Sequence, residues 1–293
     1  MQPKIDESLV KHLIASQIPQ WKNLPIRPVA NGGWDNRTFH LGDAMLVRIP
    51  SAEIYADKIQ KEFQWLPILA PLLPNKIPVP LVMGKPNTKY PWPWGVYTWL
   101  EGETVASSNN VDLDMLAKDL GRFLKALYAI DSTGGLAAGE HNFYRGGSLA
   151  VYDDQVQQAL TILKNKIDTA KARTIWEAAI VTQWHKAPVW IHGDIAIGNL
   201  LVQNGKLSAV IDFGGLAVGD PACDLAIAWT LFKDSNQHIF KETLALDQVT
   251  WNRGKAWALW KALIIAAEVI DGPAIEKEHC WQTIDAILNE QSL

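Results

Sequence analysis

The sequence predicts a two-lobed α+β protein, a small β-sheet lobe carrying one helix followed by a larger, mainly helical lobe. Three observations predict it. The chain has 293 residues, enough for two lobes sharing a cleft. Up to about residue 100 it reads as short β-like runs broken by Gly, Pro and Asn. Beyond Glu101-Gly102-Glu103 the apolar residues recur at intervals of three and four, the period of helices that bury one face.

Taken in order, the first segment, from Met1 to Gln17, reads as an amphipathic helix with Asp6 and Glu7 at its start, and it lacks the apolar core of a secretion signal. Strands are expected at Thr38–Leu41, Ala44–Ile49, Val79–Met83 and Gly95–Trp99, with a helix at Ala52–Leu69 between the second and third. The division expected is a first lobe over 1–99, a hinge over 100–103 and a second lobe over 104–293. In that lobe the period predicts helices at Asp112–Ala129, Asp153–Asp168, Ala172–His185, Ala222–Phe232, Trp251–Ile270 and His279–Leu288. One β interruption falls between Val189 and Phe213.

Composition excludes several classes. With 27 basic against 31 acidic residues and no long run of either sign, a broad electrostatic grip on nucleic acid is not expected. The longest apolar stretch, Ala262 to Ile270, is broken by Glu268 and too short to span a bilayer. Cys223 and Cys280 show no zinc-like spacing and are expected as buried thiols in a reducing, cytoplasmic setting. The 14 tryptophans, several at helix-like spacing, are expected mostly in the core.

The β interruption holds the chemistry. Leu200–Gln203 and Leu207–Ile211 flank Asn204-Gly205, a hairpin signal because both turn positions tolerate positive φ. Folding about that turn sets Asn199 opposite Val210 and brings Asp212 to the same end. His192-Gly193-Asp194 lies just before, so two carboxylates and a carboxamide gather in one region. Hard oxygens of this kind suit magnesium, and a carboxylate held off the metal can accept a hydroxyl proton. Phosphoryl transfer needs little more than positioning and charge neutralisation.

On these residues the chain resembles the aminoglycoside phosphotransferase family, a small-molecule branch of the bilobal protein-kinase-like fold. The matching segments are Ile191–Val202, Val210–Gly215 and Gly219–Ala226. The resemblance implies that Asp194 is the catalytic base and that Asn199 and Asp212 hold Mg2+ against the phosphates of ATP or GTP. His192 and Asp224 are expected to be structural, as is Asp220, a helix N-cap followed by Pro221. In the first lobe the resemblance places a phosphate-covering loop at Asn31, Gly32, Gly33 and Asn36. Arg48 stands where the kinase pattern has lysine, Glu62 is its expected partner with Glu53 in reserve, and the backbone of Trp99 and Leu100 would meet the adenine.

Only seven residues separate Asp212 from Asp220, and there is no Ala-Pro-Glu sequence, so regulated protein phosphorylation is not expected. A small hydroxyl-bearing acceptor is expected instead, either an antibiotic such as an aminoglycoside or macrolide, or a metabolite. Glu268, Asp271, Glu276 and Glu278 are the acidic groups that could hold a cationic acceptor. A nucleotide-binding protein without phosphotransfer, and a kinase fold used for nucleotidyl transfer, are the alternatives. A monomer or homodimer, acting without nucleic acid or membrane, completes the expectation.

Overall fold

A computed structural model of the chain describes residues 3–29, 35–271 and 274–290. Helix α1 (Glu7–Gln17) is capped by Asp6, whose carboxylate accepts from the Leu9 N–H. A five-stranded antiparallel sheet follows, built from β1 (Ile26–Pro28), β2 (Asn36–Leu41), β3 (Met45–Pro50), β4 (Pro80–Gly84) and β5 (Trp94–Thr98) in the order β1-β2-β3-β5-β4. Val10, Leu13 and Ile14 of α1 close one face of it against Phe39, Val47 and Trp94.

Helix α2 (Ala56–Leu69) connects β3 to β4. Its buried positions include Ile59, Leu66 and Leu69, and also Lys58 and Glu62, one turn apart. Charged residues on a buried helix face are costly without partners, so the helix already marks where specific chemistry lies.

The rest of the chain begins with β6 (Glu103–Thr104) and α3 (Leu113–Ala129), the latter capped by Asp112. Then come α4 (Asp153–Ile162), α5 (Thr169–Ile180), β7 (Val189–Ile191), β8 (Leu200–Gln203), β9 (Lys206–Val210) and β10 (Ala217–Gly219). Helices α6 (Ile227–Thr230), α7 (Asp234–Leu244), α8 (Gln248–Ala266) and α9 (Ala274–Asn289) complete it. Helix α8 is apolar nearly all round and runs through the larger core, packed on α5 and α9. Both cysteines are buried free thiols. Among the described residues no helix is long and apolar enough to cross a membrane.

Several expectations are corrected. Strand β1 and helix α7 were not expected; α7 buries only Phe240 and Leu244, too few apolar positions to show a period. The helix expected to run to Asp168 ends at Ile162, and that expected from Ala222 is a 3-10 turn over Pro221–Ala226 leading into the short α6. The β8–β9 hairpin keeps the expected register at Gln203↔Lys206 and Val202↔Leu207, then slips by one residue to Leu201↔Ala209 and Leu200↔Val210. Ser208 is the extra residue of the bulge, and its hydroxyl donates to the Leu201 carbonyl (3.0 Å). Asn199 therefore pairs with Ile211, whose N–H donates to its carbonyl (2.9 Å), rather than with Val210.

Candidate active site

The loop leaving β7 is fixed from below. Gly193 has φ +81°, and a Cβ there would fall 2.4 Å from the Gly215 carbonyl oxygen, so only glycine fits. The Asp224 carboxylate accepts the N–H groups of Gly193 (2.7 Å) and His192 (3.0 Å). Burial pushes Asp224 up to about 7 while those two bonds pull it down. His192 is buried; its Nδ1 accepts the Asp194 N–H (3.2 Å), which assigns the ring proton to Nε2, facing the Ile211 carbonyl (3.0 Å). Burial also lowers its pKa, in keeping with a neutral ring. Asp220 caps the next turn by accepting from Ala222 N–H (3.0 Å) and forms a two-pronged pair with Arg253, at 2.6 and 3.3 Å.

Above this frame the expected oxygens meet. The Asn199 amide donates to the Asp194 backbone carbonyl (2.9 Å) and to its Oδ2 (3.3 Å). Asp212, two residues after β9, lies in the left-handed region, φ 64°. Its Oδ1 meets Arg48 Nη2 (3.2 Å) and the Gly214 N–H (3.3 Å). Arg48 in turn donates through Nη1 to Glu62 Oε1 (2.6 Å), and the Tyr97 hydroxyl donates to Glu62 Oε2 (2.6 Å). Burial opposes the Arg48 charge, but Glu62 and Asp212 outweigh it and hold the guanidinium protonated. Arginine thus makes the link expected of lysine and uses its fork to reach two carboxylates at once. Glu53 is exposed in a 3-10 turn.

Asp194, Asn199, Asp212 and Arg48 all line a single cavity of about 900 Å³. Trp99 and Leu100 line it too. The Trp99 N–H already donates to the Ala44 carbonyl (2.8 Å), so a ligand meeting that residue's backbone is left its carbonyl. Asn36 also lines the cavity, and its buried side-chain oxygen has no hydrogen-bond partner among the described residues. Asn31, Gly32 and Gly33 lie outside the described residues.

The sequence did not single out four cations around these groups. Arg145 pairs with Asp194 Oδ1 (3.1 Å). Burial acts to raise the Asp194 pKa, but Arg145, then Lys261, His192 and Lys58, turn the net shift downward. Lys61 donates to the Gly214 carbonyl (2.9 Å) and lies 3.3 Å from His141 Nδ1; burial lowers it to about 8. Lys58 pairs with Asp35. Lys261 pairs with Glu276 (3.2 Å), and both line the cavity. Arg145 follows two left-handed residues, Phe143 and Tyr144, a placement with no periodic signal.

Of the acidic candidates for an acceptor, only Glu276 lines the main cavity. Glu268 and Asp271 line a separate hollow of about 380 Å³, and Glu278 is exposed. The tryptophans are largely core, as expected: Trp94, Trp176 and Trp190 are buried, and Trp257 and Trp260, also in the larger core, line the cavity as well, Trp260 stacked on Tyr152 with ring centroids 3.9 Å apart.

A family model, the phosphotransferase enzyme family, matches residues 26–261. The chain belongs to that family of phosphotransferases. Comparison with curated proteins gives no match. Among solved structures, the GDP complex of wild-type aminoglycoside 2'-phosphotransferase-IIIa superposes with a TM-score of 0.70 at 16% identity, covering 97% of this chain and 99% of that one. The streptomycin–ATP ternary complex of APH(2")-IIa gives 0.63 at 19%, covering 98% and 97%. The macrolide 2'-phosphotransferase MphH from Brachybacterium faecium gives 0.62 at 20%, covering 98% and 99%. These likenesses establish the bilobal kinase-like fold.

Proposed function

We propose that the chain transfers the γ-phosphate of ATP or GTP to a hydroxyl of a small molecule, with lobes 1–99 and 104–293 meeting at a hinge over 100–103. The observation that carries this reading is the shared cavity: Asp194, Asn199 and Asp212 open into one space with the Arg48–Glu62 pair behind it. Asp194 is the base. The acceptor hydroxyl oxygen attacks the γ-phosphorus, its proton passes to the Asp194 carboxylate, and the bond from that phosphorus to the β–γ bridging oxygen breaks to leave the diphosphate. With Arg145 on one oxygen, the carboxylate stays ionised to receive the proton.

The residues fit Mg2+. The Asn199 amide nitrogen is used on Asp194, so its oxygen would be the atom left for a cation, and among the described residues Arg48 and Gly214 both meet the same Asp212 oxygen, Oδ1. An Asp and an Asn oxygen beside a phosphate site suit an ion that takes few protein ligands and completes its shell with phosphate and water. Bound there, it would supply neutralisation of phosphate charge. Arg48, placed by Glu62, is assigned to the phosphates, with Asn31, Gly32, Gly33 and Asn36 as the cover. The Trp99 carbonyl and the Leu100 backbone are assigned to the base of the nucleotide.

For the acceptor, the cavity favours low net charge. Near the base the acids Asp194 and Glu276 are matched by Arg145 and Lys261, and Trp257 and Trp260 supply apolar wall. A polycation would need an excess of carboxylates there. The test is a product-mass screen of aminoglycosides, macrolides, choline, homoserine and sugars with nucleotide and magnesium, using Asp194→Ala as control. A gain of one phosphate that disappears in the variant supports the reading, and a gain that persists undiminished removes Asp194 as base. A melting shift with nucleotide, with and without magnesium, tests binding separately.

A further inference from the structure

Lys58 is a buried cation that the roles above leave unused. It lies one turn before Glu62 on the buried face of α2, 8% exposed, where an ammonium without a compensating function is costly. Its ammonium pairs with Asp35, a residue of the cavity wall, and faces the rings of Tyr55 (4.9 Å) and Phe143 (5.2 Å). The position relative to Asp212 is set by Gly214. A Cβ built on Gly214 would lie 3.5 Å from Lys58 Nζ and 3.3 Å from Asp212 Oδ1, so ammonium and carboxylate flank the same point. Arg48, by contrast, already has both ends of its guanidinium on carboxylates, Glu62 and Asp212.

We propose that Lys58 is a terminal-phosphate-binding residue, exchanging its Asp35 partner for the γ-phosphate of the bound nucleoside triphosphate; this rests on the phosphotransferase reading above. The phosphate group proposed to lie beside Asp212 is the most negative part of the nucleotide, and among the described residues the buried Lys58 pairs with one carboxylate, Asp35, itself partly exposed at 29%. A side chain with four rotatable carbons can swing between an aspartate and a phosphate without moving the helix. The same charge is felt at Asp194, where it helps keep the carboxylate ionised, as expected of a cation near the reacting phosphate. The neighbouring Lys61 is fixed instead on the Gly214 carbonyl.

The test compares two nucleotides that differ in the group Lys58 is said to hold. Binding of β,γ-imido-ATP and of ADP, both with magnesium, is measured by calorimetry on the intact protein, on Lys58→Met and on Lys58→Arg. Lys58→Met is expected to weaken the triphosphate analogue about tenfold and leave ADP within about twofold; Lys58→Arg is expected to recover most of the loss. An equal loss for both nucleotides, or no loss for either, overturns the proposal and leaves Lys58 a structural tie. A melting curve on each variant separates misfolding, which would lower the binding-competent fraction for both nucleotides alike, from a true change in selectivity. Failure of the unmodified protein to bind either nucleotide would remove the nucleotide site itself, a result distinct from an unchanged preference.

Discussion

The two ends of the cavity are built differently. At the end bounded by Arg48, Glu62 and Asp212, charged groups are joined in a chain: Tyr97 to Glu62, Glu62 to Arg48, Arg48 to Asp212. At the other end the wall is made of Trp257, Trp260 and small apolar residues of α8, with one cation–anion pair, Lys261 and Glu276. Charges in the first set hold one another in place before any ligand arrives, the arrangement expected where highly charged phosphates must be oriented. The second set offers shape and apolar area with little charge to spare. The difference matches the two tasks proposed above, phosphate binding at the charged end and acceptor binding at the apolar one.

The largest expected effect breaks that comparison at its junction, where Asp194 meets both ends. Asp194→Ala is expected to lower phosphoryl transfer by about 10²–10⁴-fold while leaving nucleotide affinity nearly intact. Asp212→Ala is expected to lose transfer together with magnesium-nucleotide binding. Steady-state turnover with the acceptor found in the screen, paired with nucleotide calorimetry, checks both. Loss of nucleotide binding in Asp194→Ala would mean the two ends are not separable as drawn.

Next in size is a change in the frame beneath both ends. Arg253 and Asp220 are each under a tenth exposed and doubly bonded. Arg253→Met leaves a buried carboxylate without its partner, at an expected cost of about 3–5 kcal/mol, read by urea unfolding. If the frame serves both ends equally, the surviving folded protein keeps its KM for nucleotide and acceptor. A selective rise in one KM would show that the pair belongs to that end.

The contrast also explains how far the sequence could be read. Asp194, Asn199 and Asp212 were legible because they lie close along the chain around one hairpin, so spacing alone brings them together. Arg48 and Glu62 are 14 residues apart and needed the family resemblance. Arg145, Lys58 and Lys261 reach the site from three unrelated segments, and nothing in their local pattern differs from a solvated basic residue. The four acids Glu268, Asp271, Glu276 and Glu278 show the converse: they are close in sequence and read equally as solvated helix ends, and only Glu276 lines the main cavity, because nearness along the chain does not set which surface a side chain reaches. The hairpin register was right up to Ser208, whose bulge no turn signal announces.

A smaller effect concerns pH and sharpens the difference between a sealed carboxylate and one at the cavity. Asp224 is raised by burial from the ordinary value of 3.8 to about 7. The folded state therefore binds more protons than the unfolded state between those values, and this group's contribution to stability is present at low pH and lost as pH rises through about 7. Asp194, whose net shift is downward, contributes in the opposite sense. Asp224→Asn also gives up an acceptor for the His192 or Gly193 N–H, a loss independent of pH. The variant is therefore expected to be less stable on the acid side and to gain on the parent as pH rises across the window. Melting midpoints on both sides of the window check it, and a gap that widens with rising pH would contradict the assignment.

The smallest expected effect falls on the Lys261–Glu276 pair. Lys261 and Glu276 are each about three-tenths exposed in their side chains, so water screens the pair and little stability rests on it. Lys261→Met is expected to change the acceptor KM by about fivefold or less and to leave the nucleotide KM unmoved. The direction carries the information. Removing this cation leaves Glu276 unneutralised, so an acceptor bearing a positive group would bind better in the variant and one bearing a negative group worse. A matched series of acceptors differing only in charge, measured against both proteins, reads that sign. An equal change across the series would assign Lys261 to wall shape, and a shift in nucleotide KM would join the two ends that the structure draws apart.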